Sequence, residues 1–347
     1  LLAVTYGLIF NSVQANTISL SMQTSFGFDT QMTGLAIAGF TALVIFGGLT
    51  RIAKVVGVMV PVMAGAYILV ALAVTALNIT MVPEVLVTIV RCAFDFDAVL
   101  GAGFGMALMT GIKRGLFSNE AGMGSTPHAH AVARVKHPAE QGLAAIIGLF
   151  IDTFIVVNMT AFVILCTGAL DGTTTGIALT QKAFTLGLGT IGNGFVAVCL
   201  LFFAFTTIVG WYFFAEQHVK HLVGVRYVSI YRVLVLAFIM AGSFLHVTLV
   251  WELADLFNGL MAIPNIIALI GLSKVVGRAL EDYEKKFLAG ETPEFGELAP
   301  VPADIPRYNG VPAQDPALEP KPQHHRRLGG LRNRFRRRPH NAQENDA

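Results

Sequence analysis

Ser118-Asn119-Glu120-Ala121-Gly122-Met123-Gly124-Ser125 is the stretch on which the reading of this chain turns. It interrupts an apolar run and does not read as uninterrupted membrane helix. Gly122 and Gly124 are weak helix formers, and Ser118 and Asn119 compete for backbone hydrogen bonds. Pro127 suits the first turn of a new helix, with Ser125 or Thr126 as its cap. The pattern predicts a half-helix up to about Phe117, an unwound stretch, and a second half-helix from about Thr126 to Val135.

The surrounding composition says what solvent the break sits in. Of 347 residues, 54% are apolar and 13% charged. A water-soluble domain usually carries about 25% charged residues. Apolar stretches of bilayer-spanning length recur up to about residue 274. About eight membrane helices are expected: 1–24, 31–50, 54–78 with Pro61 in its first turns, 98–135 with the break, 139–168, 191–221, 229–248 and 250–273. The segment Pro83–Phe96 carries Glu84, Arg91 and Asp95, is too short to span, and reads as interfacial. The fold class is an all-α polytopic membrane protein, with 1–280 as transmembrane core and 281–347 as a disordered tail.

Unwinding inside a bilayer frees backbone groups that lipid cannot satisfy, so protein, water or ligand must do so. The end of the first half-helix offers carbonyls to a cation or ammonium group. The start of the second offers amides to an anion. A zwitterionic amino acid with Na⁺ uses both kinds of end, and secondary transporters place their sites at such breaks. Glu120 costs roughly 2.5–3.5 kcal/mol at mid-membrane, so it faces a partner or a cavity. It either binds a cation or orients the unwound segment, or it caps nearby amides and never meets substrate. Lys113 and Arg114 either form an outer gate with Asp255 or Glu252, or snorkel or pair with Glu120.

Lys and Arg in short loops set the orientation. Arg51 and Lys54, Arg134 and Lys136, Lys220 with Arg226 and Arg232, and Lys274 with Arg278 fall on one side, which places both chain ends in the cytoplasm. Arg91 and Lys182 fall on the other. The basic run Arg332–Arg338 is either a lipid-headgroup contact or a solvated tail; nucleic-acid binding is not expected. Cys92, Cys166 and Cys199 form no C-x-x-C pair, so neither a disulfide framework nor a zinc motif is present. His128 and His130 are two apart on a helix and diverge, which argues against a metal pair. Asp152 is expected near the start of its helix in a structural role. Gly101, Gly103 and Gly105 suggest close helix contact. A membrane hydrolase using Glu120 and His128 is the reading from another class, but no nucleophile–base constellation supports it.

At Lys113-Arg114-Gly115-Leu116-Phe117-Ser118-Asn119-Glu120-Ala121-Gly122-Met123-Gly124-Ser125 the chain closely resembles the signature of the alanine or glycine:cation symporter family, also called sodium:alanine symporters. Further matches follow in order: His137-Pro138, Gln141-Gly142-Leu143, Phe150-Ile151-Asp152-Thr153, Phe203 through Trp211, Trp251 through Asp255, and Asn258 through Asn265. Asn11-Ser12-Val13-Gln14-Ala15-Asn16 looks like the family's third core helix.

The resemblance implies a LeuT-type inverted-repeat fold, here lacking the first core helices and their Thr-Gly-Asn motif, so the chain is expected to be N-terminally truncated. It implies symport of alanine or glycine with Na⁺ across the plasma membrane by alternating access. Alternatives are proton coupling on the same fold, an exchanger or channel, or an inactive fragment. Asn11, Gln14, Ser118, Asn119, Gly122, Thr207 and Trp211 are then substrate-binding. Thr206, Thr207 and Glu120 are cation-binding, and Arg114 with Asp255 the gate. From the residues alone, a Thr pair in a membrane helix also bonds back to its own carbonyls.

Overall fold

The computed structural model describes residues 1–93, 102–291 and 293. Among them every regular element is a helix and no strand occurs. The first rod, α1, joins Leu2–Val4, a π-helical Thr5–Ile9 and Phe10–Phe26 without interruption. Then come α2 (Thr30–Ile45), α3 (Gly48–Leu77), α4 (Val82–Ala93), α5 (Ala102–Asn119) and α6 (Thr126–His130). They are followed by α7 (Pro138–Cys166, π-helical over Ile151–Val157), α8 (Gly176–Leu188), α9 (Thr190–Leu222), α10 (Val228–Gly242) and α11 (Val247–Leu288).

Among the described residues, five helices are long and apolar enough to cross a membrane: Arg51–Leu77 of α3, α7, α9, Val225–Gly242 and α11. Ile146, Ile147 and Phe154 on α7, and Ile266, Ile267 and Ile270 on α11, are exposed. Apolar surface on that scale fits lipid rather than water. Helix α1 differs because it is the centre of the bundle. It packs against α2, α9, α10 and α11. It buries Asn11, Ser12, Asn16, Ser19 and Ser21 among Tyr6, Phe10 and Ile18. Small and polar residues let helices approach closely without a hydrophobic drive. Ser12 Oγ donates to Phe238 O at 2.9 Å, and Asn16 Nδ2 donates to Gly242 O at 2.9 Å and Leu245 O at 2.7 Å. A second apolar cluster, around Tyr67, Val74, Val163, Phe184 and Val196, joins α3, α7, α8 and α9.

Several boundaries differ from the sequence expectation, each for a physical reason. The second half-helix ends at His130, not Val135. His137 stands extended (φ −137°, ψ 136°) ahead of Pro138 and caps α7, its Nδ1 accepting the Ala139 N–H at 3.1 Å. A residue before proline is pushed out of the helical region. Between 168 and 191, where no element is expected, α8 forms. It is too short to span and is held by Gln181, whose Nε2 donates to Ser21 Oγ at 3.0 Å and Ser25 Oγ at 2.7 Å. The preceding loop closes on Asp171, which accepts from Lys182 Nζ at 2.7 Å and from the N–H groups of Thr173 and Thr174. Lys182 and those donors hold this carboxyl well below the usual carboxylate range. The carboxyl is therefore charged at neutral pH, and the pair weakens only as the pH falls below the ordinary carboxylate range.

Helix α3 begins at Gly48, so Arg51 and Lys54 lie inside it rather than in a loop. Helix α11 runs on to Leu288, past the expected end at 273 and past residue 280, where the core was expected to finish. Hydropathy measures apolar length, not helix length. Here Asp282 and Lys286 pair one turn apart at 2.7 Å and continue the helix. Asp152 lies midway along the 29-residue α7 rather than near its start. Among the described residues, a Cβ on Gly105 would meet nothing within 4 Å. Asp95, Asp97, Gly101, the start of the fourth helix near 98 and the basic run Arg332–Arg338 lie outside the described residues.

Candidate functional site

The helix stops where its sequence says it must. Glu120, Gly122 and Gly124 have φ of 49°, 74° and 77°, all left-handed. Ala121 N–H bonds Leu116 O at 3.1 Å and Glu120 N–H bonds Phe117 O at 3.4 Å, a Schellman closure of α5. The left-handed position usually belongs to glycine, and an L-residue there costs roughly 1–2 kcal/mol. Glu120 holds it because its carboxylate is fixed. Oε1 accepts Trp211 Nε1–H at 2.5 Å from α9, and Oε2 accepts Ser125 Oγ–H at 2.5 Å from the start of α6. Ser125 thus ends the unwound segment by turning back to Glu120, not by capping α6 with its side chain. From α11, Asn265 Nδ2 donates to Gly122 O at 2.9 Å. The freed backbone carbonyls of Leu116, Phe117 and Gly122 are therefore taken by protein. Of the protein, water or ligand that the sequence argument allows for these groups, it is protein that takes them.

An aromatic box encloses this turn. Trp211 is buried, with ring centroids 5.6 Å from Tyr6, 5.1 Å from Phe10 and 5.8 Å from Phe117. Phe117 in turn packs 5.3 Å from Trp251 of α11. One turn back on α5, the Arg114 guanidinium lies 4.6 Å over the Trp251 ring and pairs with Asp255. Lys113 Nζ is 3.5 Å from the same carboxylate. The pairing with Glu120 that the sequence left open is not the one formed.

Ser118 and Asn119 turn the other way, toward the π-helical part of α7. Ser118 Oγ donates to Asp152 Oδ2 and Thr153 Oγ1 donates to Asn119 Oδ1, both at 2.9 Å. Such π-turns are frequent at functional sites. Thr206 and Thr207 both donate their hydroxyl hydrogens to Phe203 O, at 2.9 and 2.8 Å. Both line a groove of about 550 Å³ together with Asp152, Tyr67 and Thr160.

The expected site residues therefore divide. Glu120, Gly122 and Trp211 meet at the break, Ser118 and Asn119 at the end of α5 turn toward α7, and Thr206 and Thr207 face the groove beside it. Asn11 is fully buried and donates to Gly7 O at 3.2 Å, serving the π-turn of its own helix. Gln14 is half-buried on α1, and among the described residues none of the bonds above runs through it. The sequence reading did not name Tyr6, whose hydroxyl bonds Met123 Sδ at 3.2 Å, and gave Asn265 only as the end of a matching motif, not as a site residue. For Asn265 the signal was its place directly after Pro264; for Tyr6 there was none. His128 and His130 do diverge: His128 packs 4.3 Å from His218, and His130 bonds Gln141 at 2.6 Å.

Comparison with known proteins adds a second line. A family model described as the sodium:alanine symporter family matches residues 1–297. The chain is 44% identical over 297 residues to the probable sodium/glutamine symporter GlnT of Bacillus subtilis (strain 168), an alignment that covers 85% of this chain and 62% of that protein. It is 42% identical over 272 residues to the sodium/alanine symporter AgcS of Methanococcus maripaludis, covering 77% and 60%. It is 38% identical over 303 residues to the sodium/proton-dependent alanine carrier protein of Bacillus sp. (strain PS3), covering 82% and 68%. The chain thus spans less than two thirds of the length of the first two.

Proposed function

Because this chain belongs to the sodium:alanine symporter family, a family of transporters and not enzymes, we propose that it forms the substrate- and cation-binding part of a Na⁺-coupled carrier of a small neutral amino acid. Alanine or glycine is the proposed cargo and alternating access at the plasma membrane the proposed mode. The observation that carries the reading is the broken helix at residues 120–125, held open against α9 and α11 by Glu120 and Asn265. A membrane protein maintains such a break where ligands bind.

The proposed arrangement is LeuT-type, with about eight membrane helices in residues 1–280, a cytoplasmic tail beyond and a cytoplasmic C-terminus. Ser118, Asn119, Gly122, Thr207 and Trp211, with Asn11 and Gln14 on α1, would surround the substrate. Trp211 limits side-chain size by filling the aromatic box. Thr206 and Thr207 would serve the cation. In this reading Glu120 orients the unwound segment: both its oxygens already accept a hydrogen bond, and Trp Nε1–H can only donate.

Alanine uptake by the full-length protein in proteoliposomes should fall to background when choline replaces Na⁺. Unchanged uptake would remove sodium coupling and leave proton coupling, the alternative suggested by the sodium/proton-dependent carrier of Bacillus sp. (strain PS3). The Arg114–Asp255 pair is the proposed outer gate. Reversing either charge should cost roughly 1–2 kcal/mol, between the exposed and buried limits, or about ten-fold in uptake. The double swap, Arg114→Asp with Asp255→Arg, should restore most of it. A double mutant no better than the singles rules out the gate.

A further inference from the structure

The pair of imidazoles across the seam between α6 and α9 has no task in the site as drawn. His128 stands on the second half-helix and His218 on α9. Their ring centroids are 4.3 Å apart and their planes tilted by 47°. Backbone orients both rings. His128 Nδ1 is 3.0 Å from Ser125 O, and His218 Nδ1 is 3.2 Å from Phe214 O. A carbonyl oxygen only accepts, so in each ring Nδ1 carries the hydrogen. In the neutral imidazole the lone pair is then on Nε2. Among the described residues, the one hydrogen bond of each ring is the bond at Nδ1.

Two neutral nitrogen bases therefore stand side by side with their Nδ1 hydrogens engaged elsewhere. An N–H given to a backbone carbonyl is also the support that fixes tautomer and orientation in metal-ligating histidines. Imidazole nitrogen suits zinc, copper and nickel, whereas the hard cations take oxygen. With Zn–N at about 2.0–2.1 Å, two rings on one ion have centroids roughly 5 Å apart, within about 1 Å of the spacing found. Among the described residues no third His, Cys, Asp or Glu completes the group. An ion held here keeps positions for water and stays exchangeable, unlike one in a closed structural site.

We propose that His128 and His218 form a two-imidazole site for a borderline divalent cation of the zinc class, which pins the second half-helix to α9. Its place gives such an ion leverage. His128 donates to Ser125 O, and the Ser125 hydroxyl donates to Glu120 across the unwound segment. Phe214, whose carbonyl holds His218, packs 5.8 Å from Tyr6 in the aromatic box. The ion thus ties the far end of the break to the helix that carries Trp211. Binding stands apart from the transport reading above. Its consequence, a brake on movement of the broken helix, rests on that reading.

The test joins equilibrium dialysis of the full-length protein against Zn²⁺ with alanine uptake in proteoliposomes holding Zn²⁺ on both sides. Wild type is compared with His128→Gln, His218→Gln and His130→Gln. Wild type and His130→Gln should bind a Zn²⁺ ion that His128→Gln and His218→Gln both lose. Zn²⁺ should slow wild-type uptake, and either of the latter two variants should need on the order of ten-fold more for the same inhibition. Their uptake without Zn²⁺ should stay near wild type. Equal Zn²⁺ binding in wild type and His128→Gln overturns the site. Binding lost in both variants, with wild-type uptake indifferent to Zn²⁺, overturns the brake. Wild type that takes up no alanine under any ion gradient sinks the transport reading and leaves the dialysis to decide the site. Should one variant not assemble, the other carries both measurements, and Zn²⁺ binding equal to wild type there overturns the proposal.

Discussion

Uptake by a Gly124→Ala protein is expected to fall by about 100-fold with the helical fold retained. Two costs fall on one residue. The first is the left-handed φ of 77°, roughly 1–2 kcal/mol for an L-residue. The second is steric: a Cβ there would lie 2.7 Å from Asn265 Oδ1. The amide must swing away, and with it goes the bond to Gly122 O, leaving that carbonyl unpaired at a cost of about 1–3 kcal/mol. Gly122→Ala shares the first cost and not the second, since a Cβ there meets nothing within 4 Å. It should lose only about ten-fold. Labelled-alanine uptake, normalised to folded protein by size exclusion, separates the two. Equal losses would show that Asn265 does not hold the unwound segment.

The largest effect on stability is expected at Gly242, where α10 crosses α1. A Cβ there would sit 2.5 Å from Ser12 Cα and 2.7 Å from Ser12 O. Both are backbone atoms, so the helices themselves must part. Parting them stretches the Asn16 bonds to Gly242 O and Leu245 O. Gly242→Ala should destabilise by about 1–3 kcal/mol, the usual cost of overpacking. Gly194→Ala is the control, because its Cβ would meet Phe26 Cζ at 3.4 Å, an ordinary van der Waals contact. Thermal melts in detergent should show a clear loss for Gly242→Ala and little change for Gly194→Ala. A Ser12→Gly change should not rescue the former, since the clash is with backbone.

The break was legible because it is local. Three left-handed residues within five leave a mark in any sequence, and Gly122, Gly124 and Pro127 announce it without a partner in sight. The Arg114–Asp255 pair was readable in part, since charges in apolar helices must find each other. What holds the break open was not readable. Glu120 reaches Trp211, 91 positions away, and Asn265 reaches Gly122 across 143. No periodicity encodes either contact. Asp152 was misplaced although the expected helix, 139–168, nearly matches α7: those bounds already put it in the middle. Helix α8 escaped because a length rule for spanning a bilayer says nothing about a 13-residue helix lying against the bundle.

Helix α11 is 42 residues long, about 63 Å at 1.5 Å per residue. It is anchored at three heights: Asp255 to Arg114, Asn265 to Gly122, and Asp282 to His137 Nε2 at 3.3 Å. Only Pro264, beside the middle anchor, interrupts its ladder of hydrogen bonds. A rod so fastened is a lever with its fulcrum at the break. Release of the Arg114 end must either hinge it at Pro264 or swing the Asp282 end, about 40 Å along the axis. A spin label on residues 284–288 would therefore read out, at one face of the protein, the opening of an ion pair near the other.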